Sequence, residues 1–422
     1  MKTVQHRWLI GKIAISFSLI LVSFGMNAQV PNQMENLVRK VADHIIAQTD
    51  YQLKDQNGQL YEQSKNIAAG KHLKANSKYN KWMYVNGVMA IGMVQASAVL
   101  KDPKYTRYAD HNYRFVFDNL EYFKKQFEAG DQKVEWRPVL KIRSLDDCGA
   151  MAAGLLEVYR EDPRPDFLAY LQSVGDYILN KQVRLPDSTL ARTNPRDMTM
   201  WADDLYMSVP FLVRMAKMTG DERYLDFAIQ QVEHFNRYLY DVTTGLYFHA
   251  YYSDTKTNGV ARWGRCNGWV ALAQADLIEA LPQNHPKRAA LIQLLLRQIT
   301  GFSRYQAASG MWHQLLDKPD SYEESSVTSM FVYTVAKAVN EGWIPAKYIT
   351  IAENGWLALS KNVTSDGQVK NICIGTSIYD DIHYYYTRPS QLNDTHGLGP
   401  FLLAGTEMIR AKKYLTDLNK RR

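Results

Sequence analysis

A chain of 422 residues is long for one ordinary domain but suits a closed barrel. Its 46% hydrophobic and 22% charged content is that of a folded globular protein and excludes a disordered one. The net charge of +7 falls to +4 once the first 28 residues, with three basic side chains and no acid, are set aside, and no basic run remains to suit nucleic acid.

The first element is the stretch "MKTVQHRWLIGKIAISFSLILVSFGMNAQV", in which Lys2, Arg7 and Lys12 accompany an apolar run and small Ala28 offers a cleavage point. This is a signal-peptide pattern over residues 1–28, which leaves 29–422 as a single domain. A retained membrane anchor is the alternative. No second long apolar run follows, so the expectation is a secreted or periplasmic protein with no stable membrane insertion after cleavage. The C-terminal "KRR" reads as a solvated tail.

Apolar periodicity then predicts helices over 31–50, 81–99, 104–125, 146–160, 167–182, 202–219, 222–241, 263–281, 285–304, 325–342, 346–362 and 399–412. Landmarks near the start of every second helix are Trp82, Asp146, Asp203, Arg265, Ser326 and Gly399, spaced by 64, 57, 62, 61 and 73 residues. Six units of two helices imply an all-α fold, an (α/α)6 barrel of six helix pairs. Short connections such as "KDPKY" and "MTGDERY" follow the landmark helices, and Gly, Pro and Asp suit tight helix–helix turns. Longer connections rich in Trp, Tyr, His and Arg precede them. Alternation places all six long connections on one rim, at the N-termini of the inner helices, where a site is expected.

Several rim residues carry chemistry. "RSLDDCGAM" supplies Asp146 and Asp147, and "WADDLYM" supplies Asp203 and Asp204 beside Trp201 and Met207. Either pair could simply cap a helix. Adjacent helical residues point about 100° apart, so one Asp of a pair can bond locally while the other faces the barrel axis. An apolar setting and a neighbouring acid would raise the pKa of that carboxyl. Trp263 and Trp269 in "RWGRCNGW" offer faces for a sugar, Gly264 and Gly268 permit close backbone approach, and Arg265 is a bidentate partner for a carboxylate. His249, His313 and the Asp394/His396 pair lie on rim connections, and Glu324 and Ser326 read as helix caps. Cys148, Cys266 and Cys373 are widely spaced, which argues for buried thiols rather than a zinc site or a disulfide framework. No metal or organic cofactor is called for.

The motifs "WADDLYMSVPFL", "WGRCNGWV", "GMWHQLLDKPDSYEESS" and "NDTHGLGPFLLA" resemble glycoside hydrolase family 105, the unsaturated rhamnogalacturonyl hydrolases, over residues 35 to 412. The resemblance implies an (α/α)6 barrel. It implies that Asp203 matches the general acid/base and that Asp146, or adjacent Asp147, matches a second essential Asp. His249 resembles an active-site histidine, Arg265 and Trp263 resemble substrate-binding residues, and His313 resembles a pocket residue. Cys266, where many relatives have Gly, and "LDDCG", where others have "DHxNxG", depart from the pattern. The implied activity is hydrolysis of lyase-generated oligosaccharides. A 4,5-unsaturated uronic acid is released from the non-reducing end of fragments such as those of rhamnogalacturonan or pectin. The alternatives are an unsaturated glucuronyl hydrolase acting on glycosaminoglycan or ulvan fragments, and a non-catalytic glycan-binding protein on the same barrel.

Overall fold

The computed structural model describes residues 33–421 other than Ala69, with side chains to residue 412. The leader expected over residues 1–28 lies outside the described residues. Twelve long helices alternate between two rings. They are α1 (33–47), α2 (Tyr84–Leu100), α3 (Lys104–Glu128), α4 (Gly149–Tyr159), α5 (Pro165–Asp176) and α6 (Val209–Thr219). The second half adds α7 (Glu222–Leu239), α8 (Gly264–Ala280), α9 (Arg288–Ser303), α10 (Ser325–Asn340), α11 (Ile349–Lys361) and α12 (Thr395–Arg421).

Burial separates the rings. Every residue of α8 from Gly264 to Ile278 is buried, and so is every residue of α10 from Ser325 to Val339. A helix buried on all sides must be enclosed by others. By contrast α7 buries one side, Phe227, Ala228, Ile229, Gln231, Val232, Phe235 and Leu239, mostly at the three- and four-residue spacing of a helix with one wet face. The even-numbered helices pack in sequence, α2 on α4, α4 on α6, and so on to α12, which returns to α2 and closes the inner ring. The (α/α)6 barrel expected from the repeat is therefore the observed architecture.

Close approach within the inner ring depends on glycine. A side-chain carbon at Gly87 of α2 would lie 2.2 Å from the Ala150 carbonyl oxygen of α4, and one at Gly399 of α12 would lie 2.7 Å from the Met89 nitrogen of α2. Gly399 thus serves helix packing. Gly264 and Gly268 likewise face protein: the Gln314 backbone and the Met330 side chain fill the space beside them.

All twelve short strands among the described residues lie in the long connections that precede inner helices. Thr199–Trp201 pairs antiparallel with Ala250–Tyr252, placing Trp201 opposite Ala250. Trp312–His313 pairs with Glu323–Glu324, and Ile372–Cys373 with Ser390–Gln391. These ribbons stiffen the rim.

Two helix starts differ from expectation in a way that shapes the rim. The helices predicted from 146 and 202 begin as 3₁₀ turns, Leu145–Asp147 and Ala202–Leu205, and become α-helical only at Gly149 and Val209. The acids therefore stand ahead of α4 and α6, and no side chain caps either helix. Among the described residues no helix is long and apolar enough to cross a membrane.

Candidate active site

The ribbon between Thr199–Trp201 and Ala250–Tyr252 fixes the centre of the site. Ala202 N–H donates to the His249 carbonyl at 2.9 Å, which sets Asp203 beside His249. Asp203 Oδ2 lies 3.1 Å from His249 Nε2. The contact is close but poorly aligned, so both buried atoms lack a hydrogen-bond partner. His249 Nδ1 meets the Tyr385 hydroxyl at 2.9 Å. Trp201 and Trp263 flank the imidazole at 5.7 and 4.8 Å, and their indole nitrogens are also buried without partners. The Asp203–His249 contact therefore stands as an ion pair without a well-formed hydrogen bond.

Burial pushes the Asp203 carboxyl up, but His249, Arg192 and Arg265 outweigh it and hold it below the ordinary carboxylate range. The upward shift expected for Asp203 is found next door. Asp204 is pushed up to about 6 by burial, with Asp146 and Asp203 adding to the effect and Arg192 opposing it.

Arg192 organises the remaining acids. Its Nε donates to Asp204 Oδ2 at 2.9 Å, its Nη2 to Asp204 Oδ1 at 2.7 Å, and its Nη1 and Nη2 to the Asp146 oxygens at 2.8 and 2.9 Å. The guanidinium also lies 4.2 Å from the Trp201 ring centre. Acids one repeat apart do meet at the rim, as expected, but Asp146 meets Asp204 through an arginine. Asp204 has no exposed side-chain surface, whereas 34% of the Asp146 side chain is open. Sequence reasoning missed Arg192. The only available signal was general: adjacent buried acids need a cation. Nothing in the aperiodic stretch from 183 to 198 singles out Arg192 from Arg184 and Arg196.

Other candidates are placed differently. Asp147 turns away from the cluster, taking both Arg137 Nη groups at 2.8 and 3.0 Å and the Arg143 N–H at 2.8 Å. Arg265 is buried, with its Nη groups donating to the Cys373 and Ile374 carbonyls and its Nε without a hydrogen-bond partner. Its charge helps hold the Asp203 carboxyl down. Trp269 is 1% exposed and packs 4.7 Å from Tyr206, so it is core rather than a sugar platform. Trp263, 2% exposed, also shows no open face and stacks on Arg265 at 4.6 Å. His313 Nδ1 bonds the Ser321 carbonyl at 2.6 Å and makes no polar contact with the Asp203 cluster. His396 joins the cluster only indirectly, through Tyr84, whose hydroxyl is 2.8 Å from Nε2.

Glu324 caps α10, accepting from Ser326 N at 3.0 Å and Val327 N at 2.7 Å, and also from Cys373 N at 2.8 Å. The three cysteines are free and buried. No group of three His, Cys, Asp or Glu among the described residues is arranged to hold a metal ion.

A family model described as Glycosyl Hydrolase Family 88 matches residues 56–412. The unsaturated rhamnogalacturonyl hydrolase YesR of Bacillus subtilis is 28% identical over 257 residues, which is 59% of this chain and 72% of that protein. An unsaturated 3S-rhamnoglycuronyl hydrolase of an Alteromonas species is 34% identical over 215 residues, 50% of this chain and 51% of that one. A C. acetobutylicum structure assigned to glycoside hydrolase family 105 superposes with a TM-score of 0.69 at 26% identity, covering 88% of this chain and 98% of that one. A Salmonella enterica structure described as a possible member of family 105 gives 0.72 at 25% identity, covering 90% and 94%. The resemblance to family 105 seen in the motifs is thus matched by these structures. With the family model spanning most of its length, this chain belongs to glycosyl hydrolase family 88 and is a glycosidase.

Proposed function

We propose that this glycosidase releases a 4,5-unsaturated uronic acid from the non-reducing end of lyase-generated rhamnogalacturonan or pectin fragments. The observation that carries the reading is the Asp203–His249 pair: a rim carboxylate 3.1 Å from a buried imidazole. The related Bacillus subtilis and Alteromonas proteins, named for unsaturated rhamnogalacturonyl and rhamnoglycuronyl substrates, support the substrate class.

The unsaturated ring contains a vinyl ether. Asp203, protonated, donates to C4, and the positive charge that develops at C5 is shared by the ring oxygen. The resulting carboxylate takes a proton from water as that water adds to C5. The hemiketal opens and the neighbouring sugar departs. One carboxyl serves as acid and then base. Asp203 sits below the ordinary carboxylate range, so it must gain its proton when the substrate arrives. An anionic uronate placed beside it raises its pKa by like-charge repulsion. The Arg192 clamp holds Asp146 and Asp204, which leaves Asp203, paired with His249, as the acid that moves the proton. The leader pattern supports export to the periplasm or beyond the cell.

The test is to add purified protein to lyase products and follow the ultraviolet absorbance of the conjugated double bond. Loss of absorbance on unsaturated rhamnogalacturonan disaccharides is expected. Loss only on glycosaminoglycan disaccharides would reassign the substrate, and no loss on any unsaturated uronide would overturn hydrolysis altogether.

A further inference from the structure

Two chains of Asp, His and Tyr converge on the rim. In one, Asp203 meets His249, which meets Tyr385. In the other, Asp394 meets His396, which meets Tyr84. They run in opposite directions. The first ends in its carboxylate and the second in its phenol. Tyr84 stands on the first turn of α2, only partly buried, with its ring 6.2 Å from that of Trp269 in α8, and the charges of Arg265, Asp146, Asp203 and Arg192 act on its hydroxyl.

The protons in the second chain can be placed. Burial pushes Asp394 up, but its bonds to His396 and the charges around it win and hold it ionised. An ionised carboxylate only accepts, so the His396 nitrogen 2.5 Å away, Nδ1, carries a hydrogen. Burial and Arg265 push His396 down despite Asp394, so the imidazole is neutral and Nε2 is bare. Burial pushes Tyr84 up, so it keeps its proton and gives it to Nε2 at 2.8 Å. What Tyr84 has left for the site is oxygen lone pairs.

We propose that His396 does not touch substrate but is a positioning residue, which with Asp394 fixes the Tyr84 hydroxyl as an acceptor for a hydroxyl of the unsaturated uronate ring. Both His396 nitrogens are already committed, which removes it as a direct contact. The inference rests on the hydrolase reading above. It explains why "NDTHG" opens the last inner helix: α12 packs on α2, and His396 reaches across that seam to Tyr84.

The experiment compares kcat, KM and melting temperature for wild type, Tyr84→Phe, His396→Ala, His396→Gln and the Tyr84→Phe/His396→Ala double variant, using an unsaturated rhamnogalacturonyl disaccharide. Tyr84→Phe should raise KM roughly three- to tenfold, the range of one neutral hydrogen bond. His396→Ala should raise it equally, and the double variant no further, since both changes remove one contact. His396→Gln, whose amide oxygen can take the Tyr84 proton, should recover part of the loss. An unchanged KM in Tyr84→Phe, or losses that multiply in the double variant, would overturn the proposal. Should His396→Ala fail to fold, Tyr84→Phe and His396→Gln decide it. Absence of turnover by the wild type would defeat the hydrolase reading itself, whereas wild-type turnover with an indifferent Tyr84→Phe defeats only this one.

Discussion

The barrel uses one device at both ends, an arginine held between two carboxylates, and the ends differ in what the device leaves open. Near the C-terminal end of the inner ring, Arg214 of α6 bonds Glu157 of α4 at 2.6 Å and Asp276 of α8 at 2.7 Å. All three belong to inner helices, and the two acids keep only 18% and 8% of their side chains exposed. At the rim, Arg192 comes from an irregular connection, and its two acids precede their helices on 3₁₀ turns. One of them, Asp146, stays 34% open, and the residue next to the other is Asp203, which stands outside the clamp and pairs with His249 at 3.1 Å. The lower clamp joins three helices and leaves nothing over. The upper clamp satisfies two acids and so isolates a third. Burial and ion pairing alone therefore do not mark a reactive site. The mark is the acid that the arginine clamp leaves out.

That contrast can be broken or sharpened. The largest effect should come from Asp203→Asn, which removes the proton donor while keeping its shape. Turnover should fall by about 10²- to 10⁴-fold with the melting temperature little changed. If Asp204→Asn stopped turnover while Asp203→Asn did not, the two roles would be reversed. Next is Arg214→Met, which leaves Asp276 buried without its arginine and Glu157 with only Arg160 at 3.4 Å. It should cost about 3–5 kcal/mol in denaturant unfolding, because an unpaired buried charge is worse than an absent pair. A loss below about 1 kcal/mol would show that the lower clamp is not structural. A smaller effect is expected of Arg192→Lys, since an ammonium cannot reproduce the fork that serves two acids. A tenfold or greater loss in kcat/KM should exceed its effect on stability, the opposite of the Arg214 result.

The smallest effect concerns pH. The Asp204 pKa is raised to about 6 in the fold, chiefly by burial, so the folded state holds this proton more tightly than the unfolded chain. Its contribution to stability is present below the ordinary carboxylate range and is lost as pH rises toward about 6. The stability of wild type relative to Asp204→Asn should therefore decline across that window. A difference that rose with pH would mean that Arg192 wins over burial at Asp204.

Much of the fold was legible because a repeat announces itself in spacing. The landmark helices were the inner ring, and the alternation of short and long connections placed the rim. The meeting of acids one repeat apart followed from the same geometry. What was not legible depended on segments without periodicity. The difference between Asp146 and Asp147 is set by a 3₁₀ turn that helical periodicity smooths over. Arg265 looked free because the backbone that occupies it, at Cys373 and Ile374, lies more than a hundred residues later. Trp269 falls at the start of an inner helix, where pattern alone does not separate a sugar-facing ring from one packed on Tyr206.

The closure of α12 on α2 bears on how the molecule is made. Tyr84 and His396 are 312 residues apart, and their contact crosses the seam where the ring shuts. Contacts this distant in sequence form slowly and late. Synthesis delivers α2 long before α12, so the first eleven helices must wait as an open arc with apolar inner faces. The enzyme cannot be half-assembled and half-active: one wall of its site arrives with the twelfth helix, and until then there is no ring for a substrate to enter.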